Sequence, residues 1–321
     1  MPTSITRRLF VNGLACSAWA ASAQDAYPGK PLRLIVPLPP GGPSDFMART
    51  VAQGLSVGLS QAVVVDNKPG ADGAVALREA LVAPADGHTL LYATGSMLAL
   101  PLLGKPMAFD WLSALAPVGQ LGRVAFCLMV HPDVPARTVA ELVAHARAHP
   151  DQLNCATSTL GEFMAAAQFM KVTGVRLTRV PYKGGSQAMP DLLAGRVQVM
   201  FGPVTLALPR LGSGGVRVLA TLLPQRSAAM PEVPTLAEAG HATVTVPTWQ
   251  SLFVPARTPV SVIERLSAEA STVLARPELR LELEQRGLFV DKPSPAELAT
   301  TVTREQALWA TLITEHRLTA E

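Results

Sequence analysis

The stretch of this sequence best equipped for chemistry runs Val36 Pro37 Leu38 Pro39 Pro40 Gly41 Gly42 Pro43 Ser44 Asp45, where an apolar run empties into a stiff, glycine-bearing loop ahead of a helical pattern. Pro39 and Pro40 fix the approach of the chain. Gly41 and Gly42 let backbone come close to a bound group, and Pro43 or Ser44 starts a helix whose first N–H groups lack partners. That arrangement suits an anion. Asp45, in the first turn, stabilises the helix end; the competing reading is a plain strand-to-helix turn capped by Ser44. No Gly-Lys-Ser/Thr follows, so a nucleotide phosphate loop is excluded, and the glycine spacing fits no dinucleotide fingerprint.

Similar loops recur downstream. Thr157 Ser158 Thr159 Leu160 Gly161 places three consecutive hydroxyls between a strand and a helix, all able to donate to carboxylate oxygens. Val180 Pro181 Tyr182 Lys183 Gly184 Gly185 is a third strand-end loop, with Lys183 either a counter-charge or a solvated lysine. Thr94 Gly95 Ser96 and Gly202 Pro203 close further strands on the same side. Ligands of open α/β sheets lie outside the carboxyl ends of the strands, so one such loop from each of two lobes makes a clamp.

The elements that must carry these loops alternate strand-length apolar runs with helix-length periodic segments, which predicts an α/β fold of parallel βαβ units. Leu32–Pro37, Ala62–Val65 and Thr89–Ala93 read as strands; Ser44–Leu59 and Ala74–Ala83 read as helices. A second series opens at Val124–Val130. It continues with helices Val139–His149, Gly161–Thr173 and Ser186–Ala194 and with strands Leu153–Ala156, Thr178–Val180, Val197–Phe201 and Val216–Ala220. Helices Val260–Ala275, Pro277–Arg286 and Pro295–Glu315 bring too few strands for a third domain, so they are expected to return and complete the first lobe. The expectation is two lobes, 24–121 plus 243–321 and 122–242, each a mostly parallel sheet flanked by helices. Two chain crossings near Leu121–Arg123 and Ala242–Gln250 form the hinge.

Composition narrows the class. Charged residues are 16% of the 321, so a large core is available. Arg7 and Arg8, the apolar run Leu9–Ala20 and the triplet Ala21 Ser22 Ala23 read as a signal peptide over 1–23, possible for either the general or the twin-arginine route. The run is too short for a stable membrane insertion. Removing the two arginines takes the formal charge from +3 to 3 − 2 = +1, which leaves no electrostatic footprint for nucleic acid. Cys127 and Cys155 in apolar runs read as buried thiols. No Gly-x-Ser-x-Gly elbow is present, and the six histidines form no metal-binding pair. The expectation is therefore no catalytic residue, no cofactor and no metal, in a monomer.

Beyond these local signals, the chain resembles the Bug receptors, the solute-binding components associated with tripartite tricarboxylate transporters. The marks are Tyr27 Pro28, Val36–Asp45, Asn67 Lys68 Pro69 Gly70 Ala71 with Gly73, Pro84–Leu90 and Val180–Gly184. Farther on come Asp191 Leu192 with Gly195, Pro231–Gly240 and Trp249–Pro259. The resemblance implies a type II-like periplasmic binding fold that closes on a small carboxylate. Contacts would run through backbone amides and ordered waters at Pro39–Asp45 and, opposite, at Thr157–Gly161. It implies a membrane transporter as partner, or a sensor that the loaded receptor would address. The second loop departs from the family by being shorter, with Phe163 where a histidine is common and Glu162 near the helix start. Those changes favour a more apolar or aromatic acid, or one carrying an amine, over a polyanion such as citrate; the alternative is that Phe163 packs in the core and Glu162 points to solvent.

Overall fold

The computed structural model describes residues 27–103, 111–290 (positions 224, 228, 245 and 247 excepted) and 295–316; the signal peptide expected over 1–23 lies outside them. In chain order the elements are β1 (Leu32–Val36), α1 (Pro43–Leu59), β2 (Val63–Asn67), α2 (Ala74–Leu81), β3 (Thr89–Thr94), a run of 3-10 turns (Gly95–Leu103), α3 (Trp111–Ala114) and β4 (Leu115–Val124). There follow β5 (Phe126–Val130), α4 (Val139–Ala148), β6 (Asn154–Thr157), α5 (Leu160–Thr173), β7 (Thr178–Pro181), α6 (Gly185–Leu193), β8 (Val199–Pro203), α7 (Val204–Leu211) and β9 (Arg217–Thr221). The chain ends with β10 (Trp249–Pro255), α8 (Val260–Leu274), α9 (Pro277–Gln285), β11 (Leu288–Phe289) and α10 (Pro295–His316).

Two sheets result. The first has the order β11-β4-β10-β3-β1-β2 and the second β7-β6-β8-β5-β9. Both are mixed rather than mostly parallel: β1 pairs parallel with β2 and β3, but β10 runs antiparallel to β3 and β4. In the second sheet β6 is parallel to β7 and β8, while β5 is antiparallel to β8 and β9. The inner strands β1, β3 and β10 of the first sheet and β5 and β8 of the second are buried on both faces, which is why they read as continuous apolar runs. In β1, Leu32, Leu34 and Val36 join the core under α1 and α8, and Ile35 joins the opposite core under α2 and α10. β5 divides in the same way, with Leu128 and Val130 on one side and Cys127 and Met129 on the other.

The closing third supplies two strands as well as helices, and β10 lies in the middle of the first sheet. Leu121–Arg123, near which the first chain crossing is expected, belong to β4, whose strand signal is interrupted by Pro117, Gly119 and Gly122. Two register shifts in the β4–β10 pairing absorb those interruptions. Only Ala125 separates β4 of one sheet from β5 of the other. The return passage runs beside it, with Val124 N donating to Thr248 O at 3.0 Å and Leu222 N to Phe126 O at 2.8 Å.

At the C-terminus, Trp309 of α10 is fully buried, and its indole Nε1 donates to Gly95 O at 3.0 Å. Trp309→Ala removes that bond and opens a cavity, so it should destabilise the protein by about 3–5 kcal/mol. Denaturant unfolding checks this; a loss under about 1 kcal/mol would mean that α10 does not hold the first sheet together.

Candidate functional site

The strand ends β1, β6, β7 and β8 each hand the chain to a helix at the space between the sheets. Residues at the starts of α1 (Gly42, Pro43, Ser44), α5 (Gly161, Glu162), α6 (Gly185, Ser186) and the residue before α7 (Pro203) line a single compartment of about 620 Å³, part of it open to solvent. Leu38, Pro39, Val124 and Phe126 supply apolar wall. Apolar wall with a few convergent polar groups is the mixture found in small-molecule sites. A second compartment, of about 980 Å³ with open solvent included, shares Leu38, Thr94, Ser96 and Thr159 with the first and extends past Gly70–Gly73, Phe163, Arg179 and Lys183.

The α1 end is held from behind. Gly42 is its N-cap, in extended conformation, and Pro43 follows, where a missing N–H costs nothing. Gly41 has φ +84°, a conformation glycine adopts without penalty. Its N–H donates to Asp45 Oδ2 at 3.0 Å, which also accepts from Arg49 Nε at 2.9 Å, while Asn67 Nδ2 donates to Oδ1 at 2.9 Å and to Leu38 O at 3.0 Å. Burial pushes the Asp45 carboxyl up, but the bonds from Arg49, Gly41 and Asn67 outweigh it and hold the group below its ordinary range. On the cleft side, Ser44 Oγ donates to Gln250 Oε1 at 3.1 Å.

The α5 end carries the acid of the site. Thr159 is the N-cap and its Oγ1 accepts from Glu162 N at 3.2 Å. The Glu162 side chain folds back so that Oε2 accepts from Ser158 N at 2.5 Å and from Ser158 Oγ. Glu162 is 1% exposed. Burial pushes its carboxyl up to about 7, against the downward pull of the Ser158 and Thr159 hydrogen bonds. Glu162 thus turns inward rather than to solvent. Phe163 is half-buried and lines the second compartment with the Arg179 guanidinium 4.2 Å above its ring. Arg179 Nε donates to Thr157 Oγ1 at 3.0 Å.

The structure brings Pro39, Gly42, Ser44, Thr94, Gly95, Ser96, Thr159, Gly161, Gly184 and Pro203 to the first compartment, and Ser158, Phe163 and Lys183 to the second. It does not bring the remaining candidates there. Pro40 is exposed and outside both compartments, and Gly41 and Asp45 face an adjacent groove beside Arg49 and Arg286, their polar groups spent on each other. Thr157 is buried as the acceptor for Arg179, and Gly202 is buried in β8 against Met200 and Met129. Residues that the motif reading missed are Arg179, Thr248, Gln250 and the Gly70–Gly73 loop. Gln250 reaches the site because β10 pairs it with Thr94, a register that no local motif reveals. Arg179 had one visible signal, a lone cation in a short strand that runs straight into a glycine loop.

Cys127 and Cys155 are free, buried thiols. Among the described residues no cluster of metal-binding side chains occurs, and no helix is long and apolar enough to cross a membrane.

Two helix-flanked α/β lobes with strand-end loops around a shared cleft define the class of two-lobed binding proteins. Comparison with known proteins places the chain within it. Residues 47–318 match the model of the tripartite tricarboxylate transporter family receptor. The chain is 34% identical to the UPF0065 protein in the tcbD-tcbE intergenic region of Pseudomonas sp. (strain P51), over 99% of this chain and 96% of that one. It is 31% identical to protein BugT of Bordetella pertussis, over 97% and 98% respectively. Among solved structures, a Rhodopseudomonas palustris protein with adipate superposes with a TM-score of 0.87 at 30% identity, covering 91% of this chain and 99% of that one. MatC of the same species with bound malate gives 0.83 at 28% identity, covering 89% and 100%. The chain belongs to the tripartite tricarboxylate transporter family of receptors, which bind solutes and are not enzymes.

The Glu162 carboxyl makes stability depend on pH. The unfolded chain releases this proton near 4.5 and the folded protein near 7, so the native state holds the extra proton between those values. Its contribution is complete below the lower value and is lost as pH rises through the upper one, by about 3 kcal/mol. Glu162→Gln retains an acceptor for Ser158 and removes the titration. It should raise the melting temperature at about pH 8 and change it little at about pH 4.5; an effect equal at both values would contradict the buried acid.

Proposed function

We propose that this protein is an exported periplasmic receptor that captures a small carboxylate between its two lobes and presents the closed form to a tripartite tricarboxylate-type membrane transporter. One observation carries the reading: the first compartment is walled by the amino ends of α1, α5 and α6, and no Lys, Arg or His is among its described lining residues. The leading N–H groups of a helix have no partner inside it, and the helix end acts as roughly half a positive charge. The α1 and α6 ends have no side-chain cap, so they can attract an anion without a buried cation, and charge-assisted hydrogen bonds to a carboxylate are about twice as strong as neutral ones. The likeness to proteins solved with adipate and malate supports the same class of ligand.

The lobes, taken as 24–121 plus 243–321 and 122–242, would close as rigid bodies about the Ala125 passage and its return. Contacts across the cleft support a closed arrangement of the lobes. Leu160 and Met164 of α5 pack into the core beneath the first sheet. Gly184, the N-cap of α6, sits so close to Pro39 that a Cβ there would lie 2.6 Å from Pro39 Cγ. The α1 and α6 ends can face one guest only because Gly184 has no side chain.

Thermal-shift and calorimetric titration with mono-, di- and tricarboxylates, set against their neutral amides, tests the reading. An acid should raise the melting temperature where its amide does not; equal response to both, or none to any acid, would refute it. Gly184→Val should weaken acid binding by about tenfold or more while leaving the unliganded melting temperature nearly unchanged. Binding at full strength by that variant would rule out the closed arrangement.

A further inference from the structure

Glu162 is the one ionisable residue among the described walls of the first compartment, and it stands where a carboxylate guest would be drawn in. Its side chain is almost wholly buried, and both Ser158 donors, the N–H and the hydroxyl, go to Oε2. That leaves Oε1 as the oxygen able to carry a proton. No described Lys, Arg or His lines the compartment to offset a second negative charge. Two carboxyls in one water-poor space cannot both stay ionised, because each strengthens the other's hold on its proton. The other titratable groups around Glu162 do not relieve that conflict. Cys155 on β6 is a thiol pushed up to about 12, first by burial and then by the Glu162 charge. On the β7 side, Arg179 is turned to Thr157 and Phe163, and with Lys183 and Asp72 it lines the adjoining compartment. Behind α1, Asp45 is paired with Arg49, and on α10 Glu305 lies near Arg123 and Arg304. Thr94, Ser96, Ser186 and Gln250, which face the compartment from the remaining elements, carry no charge.

We infer that Glu162 is a ligand-contacting residue that meets the guest carboxylate as a neutral acid, donating a hydrogen bond from Oε1, so that the receptor takes up a proton as it captures an anion. The inference rests on the carboxylate reading above and adds a proton to it. The proton comes from solvent and stays on Glu162 while the guest is bound. Burial holds the carboxyl of the free protein near 7, and apparent affinity follows the fraction in the competent, protonated form. Below that value the acid is in place and affinity is level. Above it, affinity falls by up to about tenfold per pH unit, because each capture must then draw in a proton. The guest itself loses its charge only below about pH 4–5, which sets the other edge of the window. The reverse arrangement, an ionised Glu162 paired with an amine on the guest, would put a cation against the amino ends of α1, α5 and α6, where helix dipoles oppose it.

The test is calorimetric titration of the wild type and Glu162→Gln with adipate, malate, hexanoate and any further acid of the panel above that raises the melting temperature. It is run from about pH 6.5 to about pH 8.5 and, at about pH 8, in two buffers of different ionisation heat. For an acid that binds, the wild type should weaken by about tenfold or more across the range and take up close to one proton per acid at about pH 8. Glu162→Gln, whose amide is neutral and still a donor, should hold its affinity within about twofold over the same range and take up none. The proton count on the wild type needs no variant, and the melting temperature of unliganded Glu162→Gln verifies its folding. Affinity that is level with pH or rises with it, or an uptake that survives Glu162→Gln, overturns the inference and leaves the carboxylate reading intact. Absence of binding by every acid overturns both.

Discussion

The cleft depends on an anion that belongs to the protein. Asp45 is buried one turn inside α1, and its two oxygens take hydrogen bonds from the Gly41 amide, Asn67 and Arg49. A buried carboxylate is tolerated only when its lone pairs are satisfied, and satisfying these three donors fixes the loop from Leu38 to Gly42 against the end of β2. Asn67 completes the tie by donating to Leu38 O as well. The amino end of α1 is thereby aimed at the cleft by contacts made entirely behind it. A guest meets a wall already in position, so little ordering entropy opposes binding.

The two parts of the cleft differ in charge. At the first compartment, Glu162 is the one ionisable residue among the described lining, and its burial holds it partly protonated at neutral pH. A neutral carboxyl can donate to a carboxylate, whereas an ionised one repels it. At the second compartment, the charges are formal ones on Arg179 and Lys183.

The legible parts of the sequence were those in which cause and effect are neighbours. The β1 loop reads correctly because strand, loop and helix start are contiguous, and the α/β class follows from apolar runs that are buried on both faces. β4 was hidden by Pro117, Gly119 and Gly122, whose effect is absorbed only by bulges against β10. Gln250 reaches the site through its pairing with Thr94 on a distant strand, and that register exists only in three dimensions. Asp45 and Gly41, expected at the ligand, spend their polarity on each other instead. Sequence pattern locates a loop more readily than it tells which way a side chain turns, and Glu162 shows the same limit.

The bond from Trp309 to Gly95 has a further consequence. Gly95 borders the first compartment, so an indole from the far end of the chain is wired to the floor of the cleft through a single polar contact. Indole emission follows the field and hydrogen bonding at its nitrogen. The receptor thus carries a natural fluorophore beside its guest chamber, one bond removed from it and sealed from bulk water, through which occupancy can be followed optically without any attached dye.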